Sequence, residues 1–190
     1  MKTLSEWDIW RQNYFDFFLM DLYVKLARKA IEEYVKNKKI IRVPGNLPED
    51  FFSRLTGVFV TIRKRKELRG CIGTYLPTKK NIAKEIISNA IAACTQDNRF
   101  YPVAEEELSD LSYEVSILSE PKALKNIKEH DPKKHGVIVR SADGRCGLLL
   151  PGLDGVDSIG QQISIACQKG GIDPITDAVE LYFFTVKKHI

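Results

Sequence analysis

Two stretches of this chain repeat one pattern, and the repetition limits the folds open to it. Gly57-Val58-Phe59-Val60 resembles Gly136-Val137-Ile138-Val139. Each continues through a segment holding arginine, glycine and cysteine (Arg69-Gly70-Cys71 and Arg145-Cys146-Gly147), then reaches a helical pattern containing Ala-Cys (Ala93-Cys94 and Ala166-Cys167). The offset between the copies drifts from 79 to 75 to 73 residues, which loop deletions in the second copy explain. A β-branched run, a turn and a second short run predict a hairpin. The expected fold is therefore α+β: a mainly antiparallel sheet with a strand-and-helix duplication, and helices packed over it.

The remaining elements fill in around this unit. Leu19, Leu22, Tyr23, Leu26, Ala27, Ala30, Ile31, Tyr34 and Val35 line one face of a 3.6-residue period, which predicts a helix closed by Lys36, Lys38 and Lys39. Pro44, Gly45 and Pro48 mark a loop. Strands are expected over 57–63 and 67–73, with the cations Arg63, Lys64, Arg65 and Lys66 at the turn. Ile82, Ile86, Ala90 and Cys94 define a helix after a start at Pro77-Thr78, with Cys94 on its apolar stripe. Tyr113, Val115 and Ile117 alternate as a half-buried strand, and a second hairpin turns at Asp143-Gly144. Ser158 and Gln161 form a capping box for a third helix that Gly170 and Gly171 end, and a strand over 179–186 closes the domain. Residues 1–18 stand apart: Trp7, Trp10, Tyr14, Phe17 and Phe18 recur at helical spacing, either packing on the domain formed by 19–190 or docking a partner.

Several function classes are excluded or weakened. No apolar run is long enough to span a bilayer, and the charged N-terminus lacks a signal-peptide pattern, so a cytoplasmic protein with no membrane association is expected. The net charge of +4 comes from cations interleaved with acids, which argues against a dedicated nucleic-acid binder. Cys71, Cys94, Cys146 and Cys167 contain no C-x-x-C pair and are read as reduced thiols. His130, His135 and His189 have no metal-ligand spacing, so neither a metal nor a cofactor is expected.

Chemistry is concentrated in two short blocks. In Leu68-Arg69-Gly70-Cys71-Ile72-Gly73 a strand puts Arg69, Cys71 and Gly73 on one face. Two glycines within a strand mark a place where another backbone or a ligand comes close. Arg69 beside Cys71 would favour a thiolate, making Cys71 a candidate catalytic nucleophile; the competing reading is a packed structural strand with an inert thiol. In Asp97-Asn98-Arg99-Phe100-Tyr101-Pro102, Asp97 is expected to pair with Arg69 or Arg99, and Arg99 to cap a helix C-terminus or help form an anion-binding wall. Arg69, Gly70, Gly73, Asp97 and Arg99 are the candidate ligand-binding residues. Asp154 and Asp157 sit close enough to hold a cation, although such a loop also suits the approach to a helix. No phosphate-binding or dinucleotide-binding glycine motif is present.

Leu68–Gly73 and Asp97-x-Arg99-Phe100-x-Pro102 resemble the two hallmark blocks of the AMMECR1 family. His135–Val139, Gly147–Pro151 with Gly155-Val156-Asp157, and Gln161-Gln162-Ile163 resemble its bacterial branch, the protein A type of the AmmeMemoRadiSam system. The resemblance covers 21–186; Asn98 and Tyr101 stand where prolines are common, and Gly170 where alanine is common. It implies an α+β domain with a duplicated unit, and partners comprising a Memo-like protein and a radical SAM protein. It implies an accessory or ligand-binding component rather than a defined reaction. In some relatives the domain follows a Memo-like domain, and the aromatic N-terminus is where such a domain would dock here. The alternatives are an enzyme using Cys71 with Arg69 and Asp97, and a nucleotide or nucleic-acid binder using the 63–66 turn, Arg69 and Arg99.

Overall fold

The computed structural model describes residues 21–190. The aromatic segment 1–18 lies outside them, as does the start of the first predicted helix. The described chain forms two compact units, one comprising 21–117 with Lys188–Ile190 and the other Leu118–Lys187.

The first unit begins with α1 (Leu22–Asn37), whose N-terminus is capped by the Asp21 carboxylate accepting from the Tyr23 N–H at 2.8 Å. Its buried stripe of Val24, Leu26, Ala27, Ala30, Ile31 and Val35 is the one the periodicity predicts. Lys38, in the left-handed region at φ 55°, closes it by donating to the Tyr34 carbonyl. A single turn, α2 (Asp50–Ser53), follows and buries Phe51. The hairpin β1 (Val58–Lys64) and β2 (Glu67–Thr74) turns at Arg65 and Lys66, both at positive φ. Here the four cations form a tight hairpin tip. Helix α3 (Ile82–Thr95) packs on both strands and on α1. It starts at the N-cap Asn81 rather than at Pro77-Thr78, because Thr78 is engaged by Glu85. A 3₁₀ turn (Glu105–Asp110) leads to β3 (Leu111–Leu118), which pairs antiparallel with β1. Strand β2 therefore forms the outer edge of this three-strand set.

The second unit contains β4 (Lys122–Ala123), β5 (His135–Ser141), β6 (Cys146–Leu149), α4 (Ile159–Gly170) and β7 (Val179–His189), the last running on into 188–189. Strand β5 pairs antiparallel with β6 and β7, and β4 with β7. Helix α4 has the predicted Ser158–Gln161 capping box and ends on Gly171 at φ 62°. Every described strand pair is antiparallel, and the architecture is α+β.

The hairpin-plus-helix unit recurs; its strands and helix starts share one offset, while Ala93 and Ala166, whose carbonyls meet the two strand glycines, keep the offset of 73 read from the sequence. Strands β1 and β5 coincide at a constant offset of 77, and so do the starts of α3 and α4. Gly70 is then equivalent to Gly147, opposite Ile62 and Val139 respectively, while Cys71 matches Leu148 and Arg69 matches Cys146. The glycine is the residue the two copies share for a steric reason. A Cβ on Gly70 would stand 2.3 Å from the Ala93 carbonyl oxygen, and one on Gly147 1.8 Å from that of Ala166. Each helix lies so close to its hairpin that only hydrogen fits between them. Gly170 obeys the same limit, since a Cβ there would meet the Gly147 nitrogen at 2.7 Å. This accounts for glycine at position 170.

Gly147→Ala should lower stability by about 2 kcal/mol or more, because backbone rather than a movable side chain blocks the methyl. Gly160→Ala, in the same unit but with open space around it, should raise stability by about 0.5 kcal/mol through helix propensity. Urea unfolding midpoints of the two variants check both signs.

Candidate functional site

The residues singled out in the two blocks meet at the edge of β2. An edge strand presents main-chain groups with no ladder partner, and burial without a partner is costly. The Cys71 N–H is satisfied by the Asp97 carboxylate, Oδ2 accepting at 2.8 Å. Asp97 follows the C-cap of α3, so the Gly70–Ala93 contact that seats the end of the helix on the strand also brings this carboxylate to the strand edge. Asp97 is buried to 6% exposure and also accepts three hydrogen bonds from Arg99, at 3.2 Å from its main-chain N–H, 2.9 Å from Nε and 2.7 Å from Nη2. The Arg99 hydrogen bonds outweigh the cost of burial and, with the Cys71 N–H, hold the Asp97 carboxyl well below the usual range. The same pair raises the Arg99 guanidinium above its ordinary value. Arg99 thus pairs with Asp97 instead of capping the helix, and its side chain remains about half exposed beside the Phe100 ring.

Arg69 faces a different set of partners. Its Nε and Nη2 grip Glu107 at 3.0 and 2.8 Å, and Nη1 and Nη2 donate to the carbonyls of Tyr101 at 3.0 Å and Pro102 at 3.4 Å. A planar guanidinium suits this fork, two bonds to a carboxylate and two to a passing backbone. Lys64 adds a second cation to Glu107 at 2.9 Å. The Arg69 bonds, assisted by the Ala104 N–H and Lys64, pull the Glu107 carboxyl down to about 2.

None of the Arg69 hydrogen bonds goes to Cys71. Among the described residues the Cys71 thiol has one hydrogen-bond partner, the Thr61 hydroxyl across the hairpin at 3.3 Å. The strand glycines are also accounted for by packing: Gly70 meets α3, and a Cβ on Gly73 would overlap the Phe59 ring. The structure brings Arg69, Gly70, Cys71, Asp97 and Arg99 together along one strand edge; Gly73 lies farther along the same strand against Phe59. Tyr101-Pro102 is trans, as are all described peptide bonds. Asp157 pairs with Lys133 at 3.5 Å, and no group of three metal-ligating side chains occurs among the described residues. No described helix is long and apolar enough to cross a membrane.

With the geometry established, comparison with known proteins places the chain. The AMMECR1 family model matches residues 24–189. The chain belongs to the AMMECR1 family. A Thermotoga maritima member is 52% identical over 168 residues, covering 88% of this chain and 96% of that protein. A Clostridium acetobutylicum member is 43% identical over 170 residues, and there the match spans only 36% of the longer protein. The crystal structure of an uncharacterised protein from Pyrococcus horikoshii superposes with a TM-score of 0.79 at 31% identity, covering 87% of this chain and 88% of that one.

Two residues central to this AMMECR1 domain were not singled out in the sequence. Glu107 lies in the run Glu105-Glu106-Glu107, which reads as solvated charge; only the path of the chain selects the third of them. Glu85 did carry a signal, a lone carboxylate among the apolar residues of α3. It is 1% exposed and accepts from the Thr74 hydroxyl at 2.6 Å, the Thr78 N–H at 2.8 Å and hydroxyl at 2.9 Å, and the Lys79 N–H at 2.7 Å. Burial pushes its carboxyl up, but these bonds outweigh it and the net direction is down. Gln162, at the equivalent place in α4, is likewise buried and links His130 at 2.6 Å to the His135 carbonyl at 2.9 Å.

Because the folded pKa of Glu107 is depressed, its stabilisation is present above about pH 4.5 and is lost as pH falls toward about 2. Glu107→Gln should therefore cost about 2 kcal/mol at pH 7. The gap between wild type and variant should close as denaturation is repeated from pH 5 down to pH 2. A gap independent of pH would contradict the assignment.

Proposed function

We propose that this AMMECR1 protein is a cytoplasmic accessory component that binds a partner through the 97–102 loop, acting with a Memo-like protein and a radical SAM protein. The observation that carries this reading is Tyr101, 91% exposed on a loop held at both ends. Asp97 anchors the start of the loop to the Cys71 N–H, and Arg69 anchors its end through the carbonyls of Tyr101 and Pro102. Beside Tyr101 stands the half-exposed Arg99 guanidinium, oriented by Asp97 and Phe100. Tyrosine and arginine are the side chains that most often dominate protein interfaces. A preordered loop loses little conformational freedom when a partner covers it. The Clostridium acetobutylicum relative, much longer than this chain, fits a domain that works joined to or beside others.

A nucleophilic role for Cys71 draws less support, since its thiol neighbours a threonine hydroxyl and the arginine next to it is committed to Glu107. A nucleic-acid role draws little from the 63–66 turn, where Lys64 pairs with Glu107 and Arg65 with Asp110.

The test is biolayer interferometry of the full chain against the Memo-like and radical SAM proteins of the same genome. Arg99→Ala and Tyr101→Ala should each weaken association about thirtyfold, the size of a hot-spot loss. Cys71→Ser should leave it unchanged. Absence of binding to both proteins, or binding indifferent to the loop variants, would remove the proposal. Rapid alkylation of Cys71 alone by iodoacetamide would favour the enzyme reading instead.

A further inference from the structure

Helix α3 is apolar on more than one face and packs on α1 as well as on the hairpin. Ala93 sits against β2 through Gly70, while Ile87, Ile91 and Ala92 form the floor of a groove elsewhere on the helix. Tyr34 near the end of α1 and Ile41 and Val43 in the segment after it also line the groove. The groove has a volume of about 760 Å³, within the ordinary range for a small-molecule site, and lies in the first unit, where Gln96 at its end adjoins the start of the 97–102 loop.

Its charge is one-sided. Among the described residues Arg42, Lys79 and Lys84 line it, and no acidic residue does. None of the three has a carboxylate partner among the described residues, whereas Arg28, Arg54, Lys64, Arg65, Arg69 and Arg99 all have one. Lys79 is also fixed at its main chain, because its N–H donates to buried Glu85 at 2.7 Å. The cation therefore stands on a backbone strut rather than a free loop.

An aliphatic floor beneath unpaired cations calls for a ligand with both characters. We propose that this groove binds a small amphiphile, an acyl-type apolar body carrying an anionic head, carboxylate or phosphate. The body covers Ile87 and Ile91, and the head lies among Arg42, Lys79 and Lys84. A neutral apolar ligand leaves the cations unused. A polynucleotide leaves the aliphatic lining uncovered and finds, among the described residues, one ring there, Tyr34, on which to stack.

The probe is dodecanoate below its micelle concentration, titrated into the full chain and followed by amide NMR, with dodecyl phosphate and dodecyltrimethylammonium as comparators. One-to-one saturable shifts confined to 40–43 and 84–96 are expected for one or both anions, and their relative affinities separate a carboxylate from a phosphate ligand. The cationic amphiphile should bind at least about tenfold more weakly. The double variant K79E/K84E should lose about tenfold or more in affinity with its circular dichroism unchanged. Ser88→Trp, which fills the groove from α3, should abolish binding whether or not the charge variant folds. Lack of saturation, equal binding of the cationic amphiphile, or shifts mapping elsewhere would overturn the proposal. So would response only to phosphatidylglycerol vesicles or to an acidic amphipathic peptide.

Discussion

The contact between Gly70 and the Ala93 carbonyl organises the first unit. By bringing the last turn of α3 onto β2 with only a hydrogen between them, it places the residues after the helix level with the edge of the strand. Asp97 is then within 2.8 Å of the Cys71 N–H, a donor that no neighbouring strand would otherwise satisfy. The Asp97 carboxylate in turn sets Arg99, and Arg69 fastens the chain as it leaves through Tyr101, Pro102 and Glu107. A methyl group at position 70 would lift the helix and break this sequence at its first step.

The second unit solves the same problem with other residues. Gly147 lies under the Ala166 carbonyl, and Arg145 ties the hairpin to the segment after α4 through the Gly171 carbonyl and Asp177. Arg69 and Arg145 are not equivalent in register, since one lies one residue before the shared glycine and the other two. They nonetheless do corresponding work, because a guanidinium reaches far enough to bridge a strand to the chain beyond its helix from either place. Glu85 and Gln162 diverge in a comparable way. At one helix position an ionised carboxylate collects hydroxyl and amide donors, and at the other a neutral amide joins an imidazole to a carbonyl.

These pairings shape what the two sequence blocks of the AMMECR1 chain can do. Asp97 and Glu107 are spent on guanidinium groups and main-chain donors, and the hydrogen-bond partner of the Cys71 thiol among the described residues is the Thr61 hydroxyl. What faces solvent is the rigid aromatic and cationic surface of the loop, and separately the unpaired cations around the α3 groove.

The amino-acid sequence alone determined the class of fold, because periodicity of apolar residues and the chemistry of caps and turns act over a few positions. The α1 stripe, the Ser158–Gln161 cap, the Gly171 stop and both hairpins were legible for that reason. The sequence also flagged Asp97 as the partner of an arginine, but left Arg69 and Arg99 as equal choices. Tertiary structure decided between them, since the guanidinium that reaches Asp97 depends on where the end of α3 rests. It also decided the register of the duplication. In the hairpins the Arg and Cys letters suggested one alignment and the structure takes another with glycine as the fixed point, while on the helices the Ala93 and Ala166 carbonyls that meet those glycines keep the alignment read from the sequence. Glu107 became a clamp and Lys79 part of a cationic rim only through contacts between residues far apart in the chain.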